Sequence, residues 1–252
     1  MSVITVERIK LSSTRSPWWC MIVAAVLSVG LSALFLGLQP GDQKVHATIT
    51  ETQGGAQLSQ MVMMVMAALA ITTEYRFGTI RTSFQAVPQR AALILGKTFV
   101  VATLAALVGL VASFGAWAIG NLVNNSADLS INTGAEWRML AGRALVFALS
   151  AVIAVAVGLL IRQSAGAIAI LILWPLLLEQ LVQLIPKVGD DLNRWAPFSM
   201  ANSFLFQGQE VGASGPGGGS YALGPWWALL YFAGWAAALM TIALVSASKR
   251  DA

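Results

Sequence analysis

Ionisable side chains are sparse in this chain, and their placement limits the chemistry they can do. One group interrupts two long apolar runs in T-T-E-Y-R-F-G-T-I-R-T-S-F-Q-A-V-P-Q-R, from Thr72 to Arg90, where Glu74, Arg76, Arg81 and Arg90 accompany Pro88. Arginine forks suit lipid phosphates or the acidic residues of a partner, and Glu74 suits an ion pair with Arg76, Arg81 or a neighbouring segment. Gly96-Lys97-Thr98 has the ending of a phosphate-binding loop, but that loop needs a glycine where Ala91 stands. No ATP site is expected here. Glu179 is the one acidic residue well inside an apolar run, a turn after Pro175. Ionisable groups so placed face a cavity or a partner, so Pro175 and Glu179 are candidates for a translocation path or gate; the alternative is a carboxylate hydrated near the headgroups or bonded to a neighbouring helix. Arg143 is expected to snorkel. His46 with Asp42 and Glu51 is too sparse for a metal site, and Cys20 has no second cysteine to pair with. With no serine and histidine pair inside the apolar runs, no H-E-x-x-H and no paired intramembrane carboxylates, no catalytic residues, cofactor or metal are expected on this chain.

These residues are set in oil. Of 252 residues 57% are hydrophobic and 10% charged, and the mean hydropathy is +0.74, far from the mix of a soluble domain. Runs such as Thr98 to Ile119 do not alternate, which excludes barrel strands, and a hydrocarbon core of about 30 Å needs about 20 residues of helix. The expectation is an all-α integral membrane protein with spans at Trp18 to Leu38, Leu58 to Thr73, Phe99 to Ile119, Met139 to Ile161, Ala165 to Ile185 and Trp226 to Val245. The second is too short to cross, so its helix must borrow Gly55 to Gln57 or continue past Glu74. Spans four and five, parted by Arg162, Gln163 and Ser164, form an antiparallel hairpin.

Charge sets the orientation. Of the 15 Lys and Arg residues, Arg8, Lys10, Arg15, Arg76, Arg81, Arg90, Lys97, Arg162, Lys249 and Arg250 fall on one side, and Lys44, Arg138, Arg143, Lys187 and Arg194 on the other. The positive-inside rule then puts both termini in the cytoplasm, with an N-terminal interfacial segment at 1–17, a single six-span domain at 18–245 and a tail at 246–252. The loop at 74–97 is cytoplasmic; the glycine-rich connection at 186–225 is outside and partly flexible. Trp18 and Trp19 inside, and Trp137, Trp195, Trp226 and Trp227 outside, sit where aromatic belts form.

Within the cytoplasmic loop, Phe77, Ile80, Phe84 and Val87 share one helical face, Pro88 ends the helix and Gly78 permits a bend at its start. Such a helix either lies in the headgroups or docks on a partner. Met61, Met63, Met64 and Met66 are expected as adaptable packing, and Ser28, Ser32, Gly158, Gly234 and Ala238 as points of close helix approach.

The sequence resembles a family at these places. E-Y-R-F-G-T-I-R at Glu74 to Arg81, followed by Pro88, Arg90 and Lys97, is similar to the cytoplasmic loop of ABC transporter permeases of the type-two exporter class. Glu7-Arg8-Ile9-Lys10-Leu11, with Arg15, Ser16 and Trp18, is similar to their N-terminal segment. Pro175, Glu179 and R-W-A-P-F-S-M-A-N at Arg194 to Asn202 resemble their last third, especially in actinobacteria. The resemblance implies a permease in a bacterial plasma membrane, working as a homo- or heterodimer, that exports a hydrophobic or amphiphilic cargo: a drug, peptide or lipid. It implies a separate ATP-binding-cassette subunit carrying ATP and Mg, and a coupling interface comprising Glu74, Tyr75, Arg76, Phe77, Gly78, Thr79, Ile80, Arg81, Phe84, Val87, Pro88 and Arg90. The N-terminal segment departs from an elbow helix, because Val3, Ile4, Val6, Ile9 and Leu11 spread around the wheel. An ion- or proton-coupled carrier and a non-transporting scaffold are the other classes this composition allows; nucleic acid is not an expected partner.

Overall fold

A computed structural model describes residues 15–40, 47–80, 90–124, 128–185, 188–208 and 222–250. Among them there is no strand. The helices are α1 (Arg15–Leu38), α2 (Ile49–Thr52), α3 (Ala56–Arg76), α4 (Arg90–Val123), α5 (Gly134–Ile161), α6 (Ser164–Leu173), a π-helical turn (Trp174–Leu178), α7 (Glu179–Gln183), α8 (Gly189–Arg194), α9 (Pro197–Phe206) and α10 (Pro225–Arg250). Six segments are long and apolar enough to cross a membrane: Ser16–Leu38, Ile49–Arg76, Arg90–Val123, Gly134–Ile161, Ser164–Gln183 and Pro225–Lys249. The six-span all-helical expectation holds.

The short second span is resolved by using both available extensions. α3 starts at Ala56, continues through Glu74 to Arg76 and is led in by the turn of α2. Glu74 can lie inside the helix because Lys97 neutralises it. The third span is longer than expected, since α4 already begins at Arg90, so residues 90–97 belong to a helix and not to a loop. Arg-Ala-Ala-Leu is a run of strong helix formers with nothing to stop it.

α5 is the hub. It packs on α3, α4, α6, α9 and α10, and buries Phe147 and Leu140 among them. Its start is fixed by a capping box in which Thr133 Oγ1 accepts from the N–H of Glu136 at 3.3 Å while Glu136 Oε2 accepts from the N–H of Thr133 at 2.7 Å. Its end turns at Arg162, which adopts φ 58°, a left-handed cap that reverses the chain into α6. Ser164 is the first residue of α6, so the hairpin turn is tighter than the sequence suggested.

Small residues let the helices touch. Ser28 and Ser32 donate to the carbonyls of Ala112 and Ala116, both at 3.1 Å, tying α1 to α4. A Cβ on Gly158 would stand 2.6 Å from Ile71, whereas Gly234 has open space around it and is no point of approach. The four methionines expected as packing are all buried.

The connection at 186–225, read as a glycine-rich outer loop, is instead partly structured. α8 and α9 lie within it, and Pro197, Phe198, Met200, Ala201, Ser203, Phe204, Leu205 and Phe206 of α9 are buried. Pro197 sits in the first turn of α9, where its missing N–H costs nothing, and the run after it is apolar enough to sink into the bundle. Residues 209–221, with most of the glycines, lie outside the described residues, as do residues 1–14.

Candidate functional site

Two polar clusters lie at opposite ends of the bundle. The first is built around the last turn of α3. Lys97 Nζ donates to Glu74 Oε1 at 2.9 Å, and both residues are buried, at 2% and 5% exposure. Neither charge can be removed cheaply, since breaking a buried pair by deleting one partner costs about 3–5 kcal/mol. The next residue, Tyr75, receives the Arg162 guanidinium over its ring at 4.9 Å, a cation–π contact, and Ser164 Oγ donates to Thr72 Oγ1 at 2.9 Å. One helical turn thus grips α4 on one side and the α5–α6 turn on the other.

Beyond that turn the chain comes to the surface. Arg76, Phe77, Gly78 and Thr79 are exposed, with Arg76 lying 5.6 Å from the Phe77 ring. Gly78 has φ 70°, the left-handed geometry that glycine adopts without strain, and it makes the bend its sequence position permitted. Helix resumes at Thr79. Phe77 and Ile80 therefore do not share a continuous helical face: Phe77 is 72% exposed as the cap of α3, while Ile80 beyond the bend is 5% exposed and packs into the core. Arg81, Phe84, Val87 and Pro88 lie outside the described residues; Arg90 is the first residue of α4.

The second cluster centres on Glu179, at the start of α7. The preceding π-helical turn contains the buried Pro175, whose missing N–H and ring bulk disrupt the α-helical ladder. Glu179 Oε1 accepts from the N–H of Phe198 at 3.0 Å and from Trp174 Nε1 at 3.2 Å; Oε2 accepts from the N–H of Ser199 at 2.9 Å and from Ser199 Oγ at 3.2 Å. A carboxylate has about four acceptor positions, and all are used. Its charge also sits on the positive end of the α9 dipole. At the other end of α9, Arg138 donates from Nε to the Phe204 carbonyl at 2.8 Å and from Nη2 to the Gln207 carbonyl. Along its side α9 meets α10 through the ring pairs Phe198–Phe232 and Phe204–Trp226, at 5.7 and 5.4 Å. Beside Glu179 is a cavity of about 30 Å³, room for about two waters, lined also by Gln57, Gln60, Pro175 and Asn202.

Arg143 does not snorkel. It is buried at 2% exposure beneath the Phe206 ring, at 5.5 Å, because α9 covers the route it would take to water. At the same end Asp128 is held below the usual carboxylate range by hydrogen bonds from the hydroxyl and the N–H of Ser130. Among the described residues no group of three His, Cys, Asp or Glu side chains could hold a metal, and His46 lies outside them.

Sequence reasoning brought Glu74 and Glu179 forward but missed their partners. Lys97 was available as a signal, because it stands just before the expected third span, at the other end of the loop that Glu74 begins, so the two share a depth. Arg162 and α9 gave weaker signals, a lone cation in a turn and a short apolar run behind a proline.

The ABC-2 family transporter protein model matches residues 3–176, more than two thirds of the chain. The chain belongs to this family. It is therefore a multi-pass membrane protein and the permease subunit of an ABC transporter. Among curated proteins, none matches the permease closely enough to count as a relative. The matched residues contain the whole Glu74–Lys97 cluster and stop before Glu179, so the gripping of α9 is read from geometry alone.

Proposed function

We propose that this permease is the membrane half of an ATP-driven exporter in a bacterial plasma membrane, moving a hydrophobic or amphiphilic cargo. The Glu74 end faces the cytoplasm, as the charge count favours, and offers Arg76 to Arg90 to a separate ATP-binding-cassette subunit that carries ATP and Mg. Two permease chains assemble with those subunits.

The observation that carries this reading is the last turn of α3. A segment pushed by a partner at Phe77 to Thr79 moves a turn bonded to α4 through Glu74–Lys97 and to the α5–α6 hairpin through Tyr75–Arg162 and Thr72–Ser164. Rigid elements so joined move together, which is what rocking between inward and outward openings requires. At the far end, Glu179 and Pro175 serve as the gate: α9 stops the outer mouth, and span five holds it by the Glu179 carboxylate. With its four acceptor positions filled, Glu179 fits a latch better than a cargo contact or the proton site of an ion-coupled carrier.

The deciding experiment is purification of the full chain from its native membrane. An ATP-binding-cassette subunit is expected to co-elute, with hydrolysis that falls several-fold when Arg76 and Thr79 are replaced by glutamate. A chain that purifies without any such subunit, or whose exposed-loop variants leave hydrolysis unchanged, overturns the coupling assignment.

A further inference from the structure

At the Glu179 end, Arg143 is a buried cation whose charge no described side chain answers. Its backbone lies about 14 Å along α5 from the helix start, at about 1.5 Å per residue. Nε and Nη2 are buried with no acceptor among the described residues, and the guanidinium carbon lies 5.5 Å from the centre of the Phe206 ring. The Phe204 and Gln207 carbonyls at the end of α9 accept from Arg138 and not from Arg143. Among the described acidic side chains at this end, Glu51 bonds with Gln39, Asp128 with Ser130, Glu136 in the α5 cap, Asp191 with Arg194 and Glu179 on α9, while Asp190 is exposed on α8; none of them pairs with Arg143.

An arginine keeps its charge in a protein, so burial without a counter-ion is costly. It is tolerable where the partner arrives from outside. We propose that Arg143, backed by the Phe206 ring, is an oxyanion subsite in the outer half of the bundle that takes the phosphate or carboxylate head of an amphiphile. The guanidinium fork offers parallel N–H groups to two oxygens, which a lysine's point charge cannot. Its setting suits an amphiphile rather than a bare ion. Met139, one turn away on the same face, and Phe206 are apolar, while Ser150, two turns the other way, holds Gln60 at 2.8 Å and continues a polar seam between α5 and α3. α9 covers the position, so the head reaches Arg143 when α9 shifts, and the subsite belongs to the open outer mouth. Naming the amphiphile as cargo rests on the export reading; the subsite itself does not.

The test uses the purified full chain in lipid nanodiscs, without any ATPase subunit. Wild type is compared in phosphatidylcholine alone, in phosphatidylcholine with phosphatidylglycerol, and in phosphatidylcholine with inorganic phosphate in the buffer. Phosphatidylglycerol is expected to raise the melting temperature and to be retained by the chain through delipidation. A comparable rise with inorganic phosphate would also support the subsite and would make a free anion its source. Arg143→Gln should weaken the retention by more than about tenfold, and Arg143→Lys should keep part of it. Equal behaviour of wild type in all three conditions overturns the proposal, even if Arg143→Gln fails to fold. So does an Arg143→Gln chain that responds like wild type. Because the ATPase subunit is absent, a failure here leaves the coupling reading standing, and a failure to co-purify leaves the subsite standing.

Discussion

At the scale of single residues, the two buried carboxylates are held in different ways and should fail differently. Glu74 is held by the Lys97 ammonium. Glu74→Gln or Lys97→Gln removes half of a buried ion pair, so each should lower unfolding stability by about 3 kcal/mol, while the exchange Glu74→Lys with Lys97→Glu should recover most of it. Thermal unfolding in detergent reads both, and an exchange no better than the single variants would show that the pair does not act as a unit. Glu179 depends on four neutral donors and a helix dipole. Glu179→Gln keeps the shape but turns an N–H₂ group toward the N–H of Phe198 or Ser199, at a cost of about 1–3 kcal/mol. The loss should concentrate in α9: hydrogen exchange at residues 199–206 is expected to speed up while α3 and α4 stay protected. Uniform loss across the bundle would argue against a latch.

At the scale of helices, close approach is set by glycines whose neighbours differ in how far they can yield. A Cβ on Gly55 would come 2.6 Å from the Leu27 carbonyl and 2.9 Å from the Ser28 Cα, both backbone, whereas on Gly158 the 2.6 Å contact is with the Ile71 side chain. Backbone cannot step aside without moving α1 off α3, and the Ile71 γ2-methyl on its stiff β-branched stem yields only a little more readily, so Gly55→Ala is expected to cost about 3 kcal/mol and Gly158→Ala about 2 kcal/mol, by denaturation in mixed micelles. The reverse order would mean that α1 is looser than its packing. These contacts also mark what the sequence made legible. Apolar runs without alternation gave the six spans, since in lipid little else satisfies the backbone. Their ends were not legible where a tertiary partner decided them: α3 crosses past Glu74 only because Lys97, 23 residues on, meets it. α9 was lost for the same reason, because its burial depends on Glu179 and Arg138 from other helices answering its dipole. Gly78 was readable, since a bend there needs only glycine; that Phe77 and Ile80 part company across it is a consequence the periodic wheel could not contain.

At the scale of the whole molecule, the described charged groups are separated to the two ends, and the middle around Met63, Val155 and Phe147 holds uncharged polar contacts such as Gln60–Ser150. Charge at each end is handled differently, and this asymmetry bears on orientation. The Glu74 end spends a lysine and an arginine on fixing α3 and still presents Arg76 at the surface, whereas Arg138 and Arg143 at the other end are drawn inward by α9. Basic residues left accessible beside a span are those that resist crossing the membrane during insertion, so the Glu74 end should be retained in the cytoplasm. Cys20 is the one cysteine, which makes the topology directly measurable. In a Cys20→Ala background, cysteine placed at the exposed Thr79 is expected to react with an impermeant maleimide only after the cells are opened, and cysteine at the exposed Trp137 to react in intact cells. Labelling in the opposite order would turn the permease over. It would place Phe77 to Thr79 beyond the reach of any ATP-binding subunit, and coupling through the last turn of α3 would fall with it.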